Sequence, residues 1–260
     1  MTPAALSAGR PGDPALVFLH GVGGDGSSFA PQLTHFAASH HCLAWHMPGY
    51  GGSDMLDPYG WPALADALVA LLDAHGIDRA AVVGHSIGGM VLQAALQRHP
   101  TRISAAVLSA TSPAFGKRDG DFQRAFLTAR LAPLDRGERL ADLAPGIVDS
   151  LLGESPAADA RARAIACMGA VPEPAYRAAM TAITTFDARE GLAAIACPTL
   201  VLAGERDSNA PHVMMARMAE KIPGAQFACL DGAGHLAYLE QPARFNRCVA
   251  DFLSTRAAGA

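Results

Sequence analysis

The stretch of sequence that decides the fold is VVGHSIGGM, at residues 82–90. It places Ser86 between Gly84 and Gly88, directly after an apolar, β-branched run that is typical of a buried strand. In a Gly-x-Ser-x-Gly turn, small residues two before and two after the serine let a strand and a helix approach closely while the serine backbone is strained. The pattern therefore predicts a strand, a sharp turn and a helix, with the Ser86 hydroxyl exposed at the carboxyl end of the strand.

Short apolar runs alternate with helical patterns along most of the chain. The runs predict buried strands at residues 15–20, 42–46, 80–84, 103–109, 199–203 and 226–230. Apolar residues at three- and four-residue spacing predict helices at residues 27–39, 61–75, 86–99, 211–221 and 240–255. This alternation predicts an α/β fold, a mostly parallel, doubly wound sheet with helices on both faces.

One segment, residues 113–192, breaks the alternation. It has no convincing buried strand, only helical patterns at residues 121–131, 136–152, 157–168 and 173–186. Ligands of parallel sheets bind at the carboxyl ends of the strands, so we expect this all-helical insertion to cover that edge as a cap. The core is then formed by residues 1–112 and 193–260. An independent helical domain is the alternative.

Charge and cysteine content bear on possible partners and compartment. The formal net charge of −4 over 260 residues gives no electrostatic footprint for nucleic acid or an anionic membrane, so neither is expected as a partner. The expected partner is a small-molecule substrate. The five cysteines are scattered, without metal-ligand or redox spacing, which predicts free thiols and no metal site. Residues 1–14 lack an apolar stretch of signal-peptide length, and the longest apolar runs of the chain are too short for a membrane span, which together predict a cytoplasmic protein. A homo-oligomer is left open.

Two further residues are candidates to activate Ser86. His235 lies in a glycine-lined loop after the last predicted strand, where an imidazole can reach back over the sheet edge as a general base. An acid is then needed to orient that imidazole, and Asp207 follows the preceding strand. Glu205 and Asp231 are the rival carboxylates.

The glycine-rich loop at residues 21–26 follows the first strong strand. Its backbone can turn inward, so we assign one donor of an oxyanion hole to the Val22 amide. The other donor is assigned to the Ile87 amide, at the start of the helix that follows Ser86. The loop lacks the Lys-Ser/Thr pair of a phosphate-binding P-loop, and its glycines miss the dinucleotide-binding spacing.

These motifs, at residues 20–23, 47–53, 84–89, 204–207 and 234–235, resemble those of α/β-hydrolase fold enzymes with a helical cap. The resemblance covers nearly the whole chain. It implies an eight-stranded sheet whose second strand is antiparallel, a Ser–His–Asp triad formed by Ser86, His235 and Asp207, a pocket between sheet and cap, and no cofactor. Too little chain precedes Ala15 for two leading strands, so one irregular strand over residues 4–10 is expected there instead.

Among the branches of that family, the motifs are similar to those of small carboxylesterases, enol-lactone hydrolases and cofactor-free perhydrolases. A serine nucleophile argues against the branches that use a carboxylate, and it predicts hydrolysis of an ester or lactone through an acyl-enzyme. Met90, Phe115, Leu236 and Tyr238 are candidate substrate-binding residues. Their apolar character predicts an uncharged or weakly polar acyl group of modest size.

Three alternative functions remain at this point. Carbon–carbon bond hydrolases usually have an asparagine before the serine and a tryptophan after the histidine, where this chain has His85 and Leu236. A cofactor-independent dioxygenase would use His235 and Asp207 as a base without needing Ser86. A ligand receptor on the same fold would bind without turnover.

Overall fold

The computed structural model describes residues 2–116 and 120–257, which form one seven-stranded sheet covered by helices. The strands are β1 (Ala5–Ala8), β2 (Ala15–Leu19), β3 (His41–Trp45), β4 (Ala80–His85), β5 (Ile103–Ser109), β6 (Thr199–Gly204) and β7 (Gln226–Leu230). Their spatial order is β1-β3-β2-β4-β5-β6-β7, with β1 antiparallel to β3 and every other pair parallel.

The helices connect these strands and fill the segment between β5 and β6. They are α1 (Ala30–Phe36), α2 (Trp61–Ala74), α3 (Ile87–Arg98), α4 (Asp121–Asp135), α5 (Leu140–Asp149), α6 (Ala160–Gly169), α7 (Glu173–Ile183), α8 (His212–Ala219), α9 (Ala237–Glu240) and α10 (Pro242–Ala257). None of these helices, among the residues described, is long and apolar enough to cross a membrane.

The predicted α/β class is confirmed, and each of the six predicted core strands lies within one residue of its expected bounds. The eight strands implied by the family resemblance are not all present in the described chain. A single short strand, β1, pairs antiparallel with β3 at the edge of the sheet. This strand, Ala5–Ala8, lies within the predicted range of residues 4–10.

The chain adds β3 on one side of β2 and β4 on the other side, so the order of strands in the sheet changes direction at β2. From β2 the chain first crosses to β3 on one side and then returns to β4 on the other. Because crossovers between parallel strands are right-handed, this reversal places α1 and α2 on opposite faces and opens a crevice at the carboxyl ends of β2 and β4. The loop after β2 and the turn after β4 therefore meet at the place where ligands of such sheets bind.

The described residues between β5 and β6 include the helices α4 to α7 and an isolated β-bridge between Ala114 and Asp187, and the two ends of the segment are joined to each other. The Phe115 N–H donates to the Phe186 carbonyl at 3.1 Å, and the Ala188 N–H donates to the Pro113 carbonyl at 2.7 Å. Residues 117–119, which fall in the predicted insertion, lie outside the described residues. The chain thus leaves and re-enters the sheet through one narrow neck.

Helix boundaries inside this segment differ from the sequence prediction. Helix α4 continues to Asp135 rather than ending at residue 131, and α5 begins at Leu140 rather than at residue 136. Gly137 adopts a φ of +85°, a left-handed conformation that ends a helix readily only at glycine. This backbone reversal separates the two helices.

Close glycine contacts hold β4 and α3 against β2. A Cβ at Gly88 would lie 2.3 Å from the Leu19 carbonyl oxygen, and one at Gly84 would lie 2.5 Å from the Gly88 carbonyl oxygen. Both obstacles are backbone atoms, which cannot move aside as a side chain can. These two positions therefore accept only glycine without displacement of the turn that carries Ser86.

We expect Gly88→Ala to lower the free energy of unfolding by about 1–3 kcal/mol, because the added methyl group overpacks the β2–α3 contact. Gly146→Ala is the matched control: Gly146 lies inside α5 with no atom within 4 Å of an added Cβ, so alanine should stabilise the helix by about 0.5–1 kcal/mol. Urea unfolding of both variants measures the difference. A Gly88→Ala protein as stable as the wild type would contradict this account of the turn.

Candidate active site

Ser86 lies at the turn between β4 and α3 in a strained backbone conformation. Its φ is 55° and its ψ is −119°, values that a residue with a side chain rarely adopts. Its N–H donates to the Ser109 carbonyl at 2.9 Å, and its carbonyl accepts from the Thr111 hydroxyl at 2.8 Å. Hydrogen bonds from the neighbouring strand end thus fix both sides of the residue.

His235 and Asp207 form a buried pair. Nδ1 of His235 lies 2.8 Å from Oδ2 of Asp207, and the Asp207 side chain is completely buried. The other carboxylate oxygen accepts from the N–H groups of Asn209 and Ala210, at 2.8 and 3.0 Å. Burial acts to raise the pKa of Asp207, but His235 and the two N–H donors outweigh it and lower that pKa below its ordinary value. The carboxylate is therefore ionised and accepts the Nδ1 proton of the imidazole.

The two rival carboxylates have other partners. Glu205 accepts from the Gly232 N–H at 2.9 Å and lies 3.7 Å from Arg206. The Asp231 side chain is 86% exposed and lies 3.6 Å from Arg244. Of the three carboxylates weighed from the sequence, Asp207 is the one whose contact with the His235 imidazole is described.

Ser86 and His235 line the same cavity at the carboxyl edge of the sheet. With Nδ1 bonded to Asp207, the remaining ring nitrogen of His235, Nε2, carries the lone pair on the opposite side of the imidazole. Among the hydrogen bonds of the described residues, none joins the Ser86 hydroxyl directly to His235. Catalytic hydrogen bonds of unliganded sites commonly form only with a substrate bound.

The proposed oxyanion donors flank Ser86. Val22 lies in the loop after β2 and lines the cavity, and Ile87 is the first residue of α3. The first N–H groups of a helix have no partner within the helix, so the Ile87 amide is available. No described turn or loop hydrogen bond uses the amide of Val22 or of Ile87. Their role as oxyanion donors remains a prediction.

The cavity has a volume of about 320 Å³ and is bounded by the sheet edge and by helices α4 to α7. The four residues predicted to bind substrate, Met90, Phe115, Leu236 and Tyr238, all lie along its wall. A volume of this size fits a small ligand. Their role in binding remains a prediction.

His20 braces the loop after β2 and is fully buried. Its Nε2 accepts from the Met47 N–H at 3.0 Å, so Nδ1 carries the proton and donates to the Gly21 carbonyl at 2.8 Å. Burial lowers the pKa of His20 to about 4, although its bond to Gly21 acts in the opposite direction. The neutral imidazole therefore holds the loop that presents Val22.

Sequence reasoning missed Glu240, a carboxylate that is only 3% exposed. Its oxygens accept from three backbone N–H groups, those of Gly153 at 2.6 Å and of Gly234 and Leu236 at 3.1 Å. Burial raises its pKa, while these three donors favour the ionised form. Two of the donors flank His235, so Glu240 fixes the loop that positions the imidazole. Its place five residues after His235, in an otherwise apolar turn, was the available sequence clue.

Sequence reasoning also missed the packing role of His85. Its ring centre lies 5.0 Å from that of His235 and 4.8 Å from that of Tyr238. Burial and the neighbouring His235 lower the pKa of His85 well below its ordinary value. A neutral ring therefore packs against the His235 imidazole without competing for the Asp207 charge.

The described residues contain no cluster of three or more histidine, cysteine, aspartate or glutamate side chains placed to hold a metal ion. Their five cysteines, Cys42, Cys167, Cys197, Cys229 and Cys248, are free thiols.

The buried His20 makes stability depend on pH. The unfolded chain takes up a proton near pH 6.5, whereas folded His20 resists protonation until about pH 4. Between these values the unfolded state binds more protons, so stability falls as pH is lowered, by up to about 1.4 kcal/mol per pH unit from this residue. We expect His20→Asn to have a shallower pH slope in urea unfolding between pH 6.5 and 4.5, and exposed His35→Asn to keep the wild-type slope. Identical slopes for the wild type and His20→Asn would contradict the assignment.

We expect Glu240→Gln to lower stability by about 1–3 kcal/mol, because one amide N–H₂ then faces backbone N–H donors. At a temperature where the variant is folded, kcat should fall at least about tenfold, and the low-field proton resonance of the His235–Asp207 hydrogen bond should shift or broaden. Glu205→Gln is the control, since Glu205 binds the same loop from an exposed position. Wild-type kcat and an unchanged resonance in Glu240→Gln would reject a positioning role.

The α/β-hydrolase fold family model matches residues 14–242. A protein of Caulobacter sp. (strain K31), assigned as the carbamate hydrolase RutD, is 32% identical over 244 residues, 92% of this chain and 90% of the relative. The pimeloyl-[acyl-carrier protein] methyl ester esterase of Chromobacterium violaceum is 31% identical over 257 residues, 94% of this chain and 96% of the relative.

A solved structure gives the same result. The enol-lactonase of Burkholderia xenovorans LB400 superposes with a TM-score of 0.86 at 25% identity, covering 96% of each chain. The sequence-based prediction of an ester-acting hydrolase is confirmed by these relatives. By its sequence and its fold, the chain belongs to the α/β-hydrolase fold family.

Proposed function

We propose that this protein is a serine hydrolase that cleaves a small carboxylic ester or lactone through Ser86, His235 and Asp207. The observation that carries the proposal is the 2.8 Å contact between buried Asp207 and His235, whose imidazole shares a cavity with a serine held at a positive φ. A base oriented by an ionised carboxylate, beside an exposed hydroxyl, is the arrangement that activates a serine.

In the first step, Nε2 of His235 takes the proton of the Ser86 hydroxyl as its oxygen attacks the carbonyl carbon. The carbonyl oxygen becomes an oxyanion, which accepts hydrogen bonds from the amides of Val22 and Ile87. One such donor is typically worth about 3 kcal/mol in the transition state. The protonated His235 then gives its proton to the departing alkoxide oxygen, which leaves an acyl group on Ser86.

In the second step, water attacks the acyl-enzyme and His235 takes the water proton. Collapse of the second tetrahedral intermediate releases the carboxylic acid and returns the proton to the Ser86 oxygen. Asp207 stays ionised and holds the imidazole in the productive tautomer in both steps. With a lactone substrate, the alcohol and the acid produced are parts of one molecule.

We propose residues 113–192 as the cap and residues 1–112 and 193–260 as the core. Two features support this division: the hydrogen-bonded neck at Pro113 and Ala188, and the cavity wall supplied by α4 to α7. In this arrangement the core supplies the reacting groups and the cap supplies much of the surface that meets the rest of the substrate.

We expect Ser86→Ala and His235→Ala each to lower kcat for p-nitrophenyl butyrate at least about 1,000-fold, with melting temperatures close to the wild type. The double variant should be no worse than either single one, because the two groups act as a unit. Asp207→Asn should be milder, since the imidazole remains but its orientation is lost. Steady-state rates and thermal unfolding of the four variants provide the measurement.

Other outcomes of the same assay point to the alternative functions. Hydrolysis of ring-fission diketones in preference to all esters and lactones would support carbon–carbon cleavage. Oxygen consumption that persists in Ser86→Ala would support a cofactor-independent dioxygenase, and ligand binding without turnover would support a receptor. Each of these results would reject the ester or lactone hydrolase proposed here.

A further inference from the structure

The cavity above Ser86 has an unusual charge composition. Its described lining is mostly apolar and contains no aspartate, glutamate or lysine. Arg130 is the lining residue that carries a permanent charge. Every other polar group described along the wall is neutral or belongs to the imidazole of His85 or His235. The wall therefore presents a positive charge without a carboxylate to balance it.

The surroundings of Arg130 leave its guanidinium available. Arg130 is half-buried on α4, and its guanidinium carbon lies 5.6 Å from the centre of the Phe126 ring. None of the salt bridges of the described residues includes it. By contrast, Arg139 pairs with a carboxylate at 2.8 Å, and Arg177 pairs with two carboxylates at 2.7 and 2.8 Å. Arg130 differs from Arg139 and Arg177, because its described contact is with the face of the Phe126 ring and not with a carboxylate.

A second donor lies beside Arg130. Tyr176, a residue of α7 that is 1% exposed, lines the same cavity, and its hydroxyl is in no hydrogen bond of the described residues. Burial raises the pKa of Tyr176, although the nearby Arg130 charge acts to lower it. The hydroxyl is therefore protonated at neutral pH. The Arg130 guanidinium and the Tyr176 hydroxyl thus line the same apolar cavity, and neither donates to an acceptor in any hydrogen bond of the described residues.

We propose that Arg130, assisted by Tyr176, forms a subsite that binds a carboxylate of the ligand. The guanidinium fork matches a carboxylate with two parallel hydrogen bonds, and the low polarity around it strengthens the attraction. Resting on the proposed function, this assigns the substrate class as an ester or lactone that also carries a free carboxylate, such as the monoester of a dicarboxylic acid. This proposal differs from the expectation of an uncharged or weakly polar acyl group, which was drawn from the apolar residues alone.

The test compares ester pairs that differ only in the terminal group. Monomethyl succinate, glutarate and adipate are paired with methyl butyrate, valerate and hexanoate, and kcat/KM is measured by titrating the released acid. We expect the wild type to prefer one or more of the carboxylate esters over its neutral partner. Arg130→Gln should reduce that preference about tenfold or more, because a charge-assisted hydrogen bond to the carboxylate is lost.

Three variants sharpen the comparison. Tyr176→Phe should reduce the preference less than Arg130→Gln, and Arg130→Lys should retain part of it because the charge remains without the fork. Arg217→Gln is the matched control, since Arg217 is exposed on α8 and lies outside the cavity. It should keep the wild-type preference. Thermal unfolding confirms that each variant is folded at the assay temperature.

Direct binding separates failure of the subsite from failure of the proposed reaction. Adipate and glutarate are titrated by calorimetry into Ser86→Ala and into Ser86→Ala/Arg130→Gln. Tighter binding to the protein that keeps Arg130, by about tenfold or more, supports the subsite even if no ester is hydrolysed. Equal binding to both proteins, or an unchanged ester preference in Arg130→Gln, overturns the subsite even if Ser86-dependent hydrolysis is observed.

Discussion

The structure depends on the strained backbone of Ser86. A φ of 55° at a residue with a side chain costs about 1–3 kcal/mol and persists only where the surroundings impose it. Here the surroundings are the backbone contacts at Gly84 and Gly88, which no larger residue could make, and the hydroxyl of Thr111 on the next strand end. This constraint lifts the serine side chain above the sheet edge and points the start of α3 at the same place. A hydroxyl and an unpaired helical amide are thereby brought together by one turn.

The histidine loop is held by the helical segment as well as by the sheet. The His235 N–H donates to the Leu151 carbonyl at 2.7 Å, and the Glu154 N–H donates to the Gly232 carbonyl at 3.0 Å. With the buried carboxylate of Glu240, these bonds connect the loop between α5 and α6 to the loop that carries the imidazole. The middle of the proposed cap is therefore part of the support of the candidate site. The proposed reacting groups come from the proposed core, and the charge proposed to select the substrate comes from α4.

Much of this arrangement could be predicted from the sequence, for identifiable reasons. The strands and the turn at Ser86 follow from local patterns, and the placement of His235 and Asp207 follows from the order in which a parallel sheet presents its carboxyl ends. Glu240 and Arg130 could not be found in this way. Whether a carboxylate is buried against backbone donors, or an arginine lacks a partner, depends on segments far apart in the chain. The boundary between α4 and α5 was misplaced because α4 continues through Pro133 to Asp135 and the backbone reverses only at Gly137.

The central claim is that the Ser86 hydroxyl is the nucleophile, activated by His235 in the unmodified protein. The most direct measurement is mass spectrometry of the intact protein and its peptides after reaction with diethyl p-nitrophenyl phosphate, which transfers a diethylphosphoryl group to an activated serine. The account predicts one adduct per chain, located on the peptide that contains Ser86, and much slower labelling in His235→Ala. Labelling of another residue, or ester hydrolysis that continues at full rate with Ser86 blocked, would contradict it.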